Sequence, residues 1–188
     1  METDAIRRRF TVEEFHRMAE AGLFQADERV ELIEGEILRM TPIGVPHAAC
    51  VAGLHELLQE RLRKRAHVRC QCPIVLGDRS EPQPDLAIVR RREDGYHSGH
   101  PRSQDVIFLV EVADSSLLFD QRTKIPLYAK AEIPEAWLVN LVADAIEVYR
   151  RPSSEGYQEV ETLRRSERLA PAPFSDCRLT VDEILGGS

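Results

Sequence analysis

The stretch Val106-Ile107-Phe108-Leu109-Val110-Glu111-Val112-Ala113 constrains the chain more than any other: five consecutive apolar residues, one carboxylate, then two more apolar residues. Such a run, rich in β-branched side chains, reads as a strand covered on both faces, which calls for a central sheet with layers on each side. A charge inside that strand is costly unless it is paired, hydrogen-bonded or bound to a metal. Glu111 therefore asks for partners. Upstream, Asp85 follows Pro84 and opens a second apolar run, Leu86-Ala87-Ile88-Val89. Downstream, Lys124 closes the segment Asp120-Gln121-Arg122-Thr123-Lys124.

The remaining segments read in order. Thr11 and Glu14 form a capping-box pattern ahead of a helix over about 12–21, stopped by Gly22. Residues 29–40 read as a hairpin turning at Glu34-Gly35. Ala48, Val51, Leu54, Leu58 and Leu62 recur at helical spacing, predicting a helix from His47 to about Arg65 with a basic end. A strand is expected over 68–76, then the Asp85 strand, then a polar loop over 93–104 expected to be mobile. After the Glu111 strand a helix should run to about Glu132, with Pro126 in its first turn or at a kink because it lacks an N–H. Strands are expected at 136–141, 145–150 and 157–163, and a short helical turn at 180–185. The fold class is α/β (α+β): a mixed central sheet flanked by helices. We expect one domain over 1–188, with an N-terminal helix and hairpin at 10–40, a core at 47–150 and a C-terminal strand and tail at 151–188.

Bulk properties narrow the function classes. With 188 residues and 43% hydrophobic content the chain suits a globular domain. No apolar run approaches the roughly 20 residues of a membrane span. Residues 1–9 are polar and carry no apolar signal core, so a cytoplasmic location is the expectation. Cys50, Cys70, Cys72 and Cys177 lack zinc-knuckle spacing and read as reduced and structural. A formal net charge of −7 argues mildly against bulk electrostatic binding of nucleic acid, although a local basic face can still serve.

Two carboxylates at the ends of neighbouring strands can share a divalent cation, because Mg²⁺ takes hard oxygen ligands and keeps most of its waters. A nearby lysine can offset phosphate charge or help activate water. That set suits phosphodiester hydrolysis. Pro84-Asp85, a buried Glu111 and a downstream base resemble the PD-(D/E)XK nuclease pattern, in which the lysine stands two residues after the second acid; here that position is Ala113. The wider string comprises residues 29–36, His47, Pro84-Asp85, 110–116, 120–124, 126–129 and 133–139. Together these segments resemble the Uma-type (Uma2) restriction endonuclease family, of restriction-endonuclease-like fold, in which the lysine has moved to the following helix. The resemblance covers roughly Val30 to Tyr149 and implies a Mg²⁺-dependent endonuclease acting on DNA, with Mn²⁺ as substitute. It implies metal ligation by Asp85, Glu111 and the Val112 carbonyl, with Lys124 orienting or activating the attacking water. Glu31 would be an accessory acid, with Glu34 as the substitute if the hairpin register differs, and His47 would sit near the site. A homodimer is expected, since cutting both strands often takes two sites.

Each residue also has a purely structural reading. Asp85 could accept backbone N–H groups at a loop end. Glu111 could sit in a buried ion pair with Lys124 or an arginine. Lys124 could be an exposed helix lysine paired with Asp120. His47 could cap or pack, and Glu31 could be solvated. The Arg61–Arg65 run could be a solvated helix face or contact phosphates. Trp137 and Tyr128 read as core. A non-catalytic nucleic-acid-binding or homodimeric interaction module on the same fold is the alternative function.

Overall fold

The computed structural model describes residues 7–25 and 27–186; the polar residues 1–6 read above lie outside them. The elements run α1 (Val12–Glu20), β1 (Val30–Ile33), β2 (Glu36–Arg39), α2 (Val45–Leu62), β3 (His67–Cys70), β4 (Leu86–Val89) and β5 (Val106–Ala113). They continue with α3 (Leu117–Phe119), a π turn (Asp120–Lys124), α4 (Ile125–Lys130), β6 (Glu135–Asn140), β7 (Ala145–Ser153), β8 (Gly156–Arg164), β9 (Arg168–Leu169), β10 (Leu179–Thr180) and α5 (Val181–Leu185).

The central sheet has six strands in the order β3-β4-β5-β6-β7-β8. Only β5 and β6 run parallel, joined by the crossover through α3, the π turn and α4. The sheet is therefore mixed, with helices on both faces. On one face Phe108, Val110 and Val112 of β5 join Leu54, Leu58 and Leu62 of α2, and Trp137 stacks on Phe108 at 5.0 Å between ring centroids. On the other face Leu109 and Ala113 meet Ile125, Leu127 and Tyr128 of α4. From Phe108 onward, past the register shift at Ile88/Val89, the period-2 alternation along β5 assigns the odd-numbered positions to the α4 side. Glu111 is one of them.

The N-terminal helix begins as its capping box dictates: Thr11 Oγ1 accepts the Glu14 N–H at 3.1 Å and Glu14 accepts the Thr11 N–H at 3.0 Å. The hairpin turns at Glu34 and Gly35, both with positive φ (48° and 81°). A side chain at Gly35 would stand 2.7 Å from Arg9 Cβ, so the chain entering α1 lies directly across the turn. The C-terminal helix α5 starts with a second capping box, Thr180 with Glu183, and packs on α2, where Cys50 Sγ donates to the Ile184 carbonyl at 3.3 Å.

Three expectations need correction. The strand expected over 68–76 ends at Cys70, because Gln71 takes a positive φ of 48° and turns the chain away. The helix expected to Glu132 winds without interruption from Leu117 to Lys130 but is not a regular α-helix, since it opens into a π turn between α3 and α4. In the π turn the Ile125 N–H donates to the Asp120 carbonyl, and Pro126 then stands in the first turn of α4, where a missing N–H costs least. The 93–104 loop, expected to be mobile, is tied down. Asp94 accepts the Ser98 hydroxyl at 2.6 Å and the Tyr96 N–H at 3.2 Å, and the Tyr96 hydroxyl donates to the Arg90 carbonyl at 2.7 Å. Arg92 lies 4.7 Å over the Tyr96 ring.

These contacts, the Ser98 hydroxyl first, hold the Asp94 carboxyl down at about 2. A depressed carboxyl stabilises the loop above its ordinary range and loses that effect as pH falls through the folded value. At neutral pH the tether is fully present. Asp94→Ala should therefore speed tryptic cleavage at the neighbouring Arg91 and Arg92; unchanged cleavage kinetics would mean that packing of Tyr96 alone holds the loop.

Candidate functional site

Asp85, Glu111, Lys124, Glu31 and His47 come together in one cleft of about 540 Å³ at the end of the sheet where β4 begins. β4 pairs with β5 only as far as Leu86 opposite Val110. Beyond that point the Val112 N–H donates to Asp85 Oδ2 at 2.9 Å in place of a strand partner. In an extended strand a residue's N–H and C=O project to the same edge, so the Val112 carbonyl also faces the Asp85 side.

Asp85 is held from three directions. His47, in the first turn of α2, places Nε2 3.0 Å from Oδ2. Gln71, in its positive-φ turn, donates from Nε2 to Oδ1 at 3.2 Å and from its backbone N–H to the Asp85 carbonyl at 2.9 Å. Burial alone would raise the Asp85 carboxyl, but His47, the Val112 N–H and Gln71 together keep it below its ordinary value. The same contact to Asp85 raises the His47 imidazole above its ordinary value against the opposing effect of burial.

Glu111 is treated differently. Its Oε1 accepts the Tyr128 hydroxyl and lies 3.3 Å from Lys124 Nζ, while its Oε2 is 3.4 Å from the Asp85 N–H. Complete burial outweighs these contacts and pushes its carboxyl up to about 8. Lys124 also reaches Glu31 Oε2 at 3.4 Å, and that oxygen accepts the Gln83 N–H at 3.1 Å. Burial disfavours the Lys124 ammonium, yet Glu111 and Glu31 hold its pKa above the ordinary value. Asp120, four residues before Lys124 on the π turn, accepts the Ser116 hydroxyl at 2.6 Å; burial raises it to about 6. The π turn widens the helix locally, and both Asp120 and Lys124 are buried.

The hairpin register resolves the choice between two acids. Glu31 is buried beside Lys124, whereas Glu34 sits exposed at the turn, 3.1 Å from Lys130. Lys124 is not the exposed partner of Asp120 that helical spacing alone allowed. The Arg61–Arg65 run is also accounted for: Arg61 pairs with Glu183 at 2.9 Å and Arg65 with Asp176 at 2.7 Å, far from the cleft at the other end of α2. Four side chains of the site escaped sequence reading. Gln71 and Gln83 lie in irregular segments without periodicity, Tyr128 was read only as core, and Asp120 was read only as a partner for Lys124. The one available signal was the shared i,i+4 face of Asp120, Lys124 and Tyr128.

Among the described residues no three His, Cys, Asp or Glu side chains converge as a self-sufficient metal cage. The donor set nevertheless fits a hard cation that keeps its own waters. Glu31, Asp85, Glu111 and Asp120 are four buried carboxylates facing one buried ammonium, Lys124, and a partly buried imidazole, His47. Such an excess of negative charge in low dielectric is met by protons or by a bound cation.

The profile of the Uma2 family, described as "Putative restriction endonuclease", matches residues 12–182. No curated protein matches the chain. Among solved structures the chain is similar to "a putative nuclease belonging to DUF820 from Anabaena variabilis ATCC 29413", with a TM-score of 0.71 and 18% identity over 94% of this chain and 97% of that one. At that identity the likeness is one of fold.

Removing the lysine from this cluster strands two buried carboxylates. Lys124→Met should cost about 3–5 kcal/mol of stability in urea unfolding with EDTA present. Lys130→Met, which breaks only the exposed pair with Glu34, should cost less than about 1 kcal/mol. Similar small losses for both would mean that water reaches the Lys124 cluster.

Proposed function

The chain belongs to the Uma2 family, and from that premise we propose that it is a metal-dependent endonuclease that hydrolyses phosphodiester bonds in DNA. Family and fold are those of nucleases of the restriction-endonuclease-like type. One observation carries the finer reading: four buried carboxylates share a cleft with a single buried lysine.

Asp85, Glu111 and the Val112 carbonyl are the proposed holders of Mg²⁺, with Mn²⁺ as substitute; two carboxylates and a carbonyl leave room for the ion's waters. When bound, the ion supplies Lewis-acid charge to a phosphate oxygen and to water. The chain's own groups do the rest. His47 and Gln71 fix the orientation of Asp85, and Tyr128 fixes that of Glu111. Lys124 stands between Glu31 and Glu111, where its ammonium can orient a water and offset charge growing on the phosphate. Glu31, steadied by the Gln83 N–H, acts as an accessory acid that keeps Lys124 in place.

The test combines calorimetric titration of Mn²⁺ and Mg²⁺ with plasmid nicking, on wild type and Asp85→Ala. Binding and nicking that disappear together in the variant are the expected result. Metal binding in wild type without nicking of the plasmid and without cleavage of single-stranded DNA would remove the nuclease assignment, and absence of binding would make the carboxylates a structural network.

A further inference from the structure

The mouth of the cleft is unlike its floor. Of the seven large hydrophobic side chains exposed among the described residues, four lie on two segments at the rim: Ile43 (40%) and Val45 (83%) before and at the start of α2, and Leu118 (61%) and Phe119 (38%) on α3. Ile43 and Phe119 line the cleft itself. The first segment reaches the connection that leads into α3: Asp114 Oδ2 lies 3.4 Å from where a side chain at Gly44 would begin, and Asp114 lines the cleft with Ile43 and Phe119. An apolar rim gathered around a charged floor marks a surface made to be covered.

Charge identifies the cover. Arg29 and Arg39, at the open end of the hairpin, line the same cleft, and among the described residues neither guanidinium is taken by a carboxylate. Arg61 and Arg65, by contrast, are committed to ion pairs elsewhere. Duplex DNA presents phosphates outward and is gripped by an extended basic surface. Here two arginines that no carboxylate of the described residues takes up flank apolar and aromatic side chains on a chain of net charge −7. That combination matches an unpaired strand, whose bases stack on aromatic and apolar groups while a few cations follow its backbone. Resting on the nuclease reading of the same cleft, we infer that the preferred substrate is an unpaired stretch of DNA, one base of which is held at the rim between Phe119 and Ile43.

The test measures anisotropy of a labelled 20-nucleotide oligothymidine, alone and annealed to its complement, in EDTA and in Ca²⁺. The single strand should bind more tightly than the duplex. Phe119→Ala should weaken single-strand binding by about 5-fold or more, as expected for a lost base–aromatic stack. Phe119→Trp should restore it, and Val160→Ser, an exposed apolar residue on β8, should change nothing. Duplex binding as tight as single-strand binding, or indifference to Phe119→Ala, overturns the inference. So does a change of sedimentation state in Phe119→Ala without a change in DNA affinity, since a second copy of the chain would then be what covers the rim. Cleavage of both substrates in Mg²⁺ separates this inference from the nuclease reading. Duplex cleavage without single-strand binding removes the inference alone. Rim-dependent single-strand binding without cleavage in Mg²⁺ or Mn²⁺ removes the nuclease reading alone.

Discussion

The contact between Lys124 and the two buried carboxylates of Glu31 and Glu111 organises this end of the molecule. A glutamate buried in a sheet covered on both faces is tolerable only beside a cation and hydrogen-bond donors. Lys124 comes to that position at the end of a π turn in the crossover helix, and Pro126, which has no N–H to donate, follows in the first turn of α4. The same lysine draws in the hairpin, because Glu31 reaches the cluster only from β1. The N-terminal hairpin, the crossover and the central strand are thus joined through one ammonium group.

The two acids nearest each other are given opposite environments. Asp85 is surrounded by donors from α2, from the turn after β3 and from the β5 backbone, and its carboxyl is held low. Glu111 has one hydroxyl, one shared ammonium and a long contact to the Asp85 N–H against nearly complete burial, and its carboxyl is pushed high. Environments that drive two neighbouring acids apart are a mark of sites built for chemistry or for ion binding. A structural salt bridge would be expected to balance its charges. This cluster leaves carboxylates in excess.

The fold also separates its charged surfaces. The first turn of α2 carries His47 beside Asp85, and its last turn carries Arg61, roughly 20 Å away at 1.5 Å per residue. The arginines at that far end are matched by acids of the C-terminal segment, which α5 brings back against α2. The arginines of the hairpin remain beside the acidic cleft. A basic run that looks like a binding patch in one dimension serves mainly to fasten the tail, whereas two arginines that form no run in the sequence share a cleft.

Much of this architecture is legible in the chain. Period-2 and period-3.6 patterns report which face of a strand or helix is covered, and they yield the buried β5, the long α2, the hairpin turning at Glu34-Gly35 and the mixed sheet. An acid inside an apolar run is conspicuous for the same reason, so Glu111 and Asp85 stand out without coordinates. What periodicity cannot carry is who meets whom across the fold. That Glu31 rather than Glu34 faces Lys124 depends on how the hairpin docks on the sheet. That Gln71 reaches Asp85 depends on a single left-handed residue in a segment with no repeating pattern. That Lys124 is buried rather than solvated depends on a helix winding one residue wider than its neighbours. Local pattern encodes exposure along each element; the pairing of charges comes from packing between elements distant in the chain, where register and backbone turns too small to leave a compositional trace set the distances.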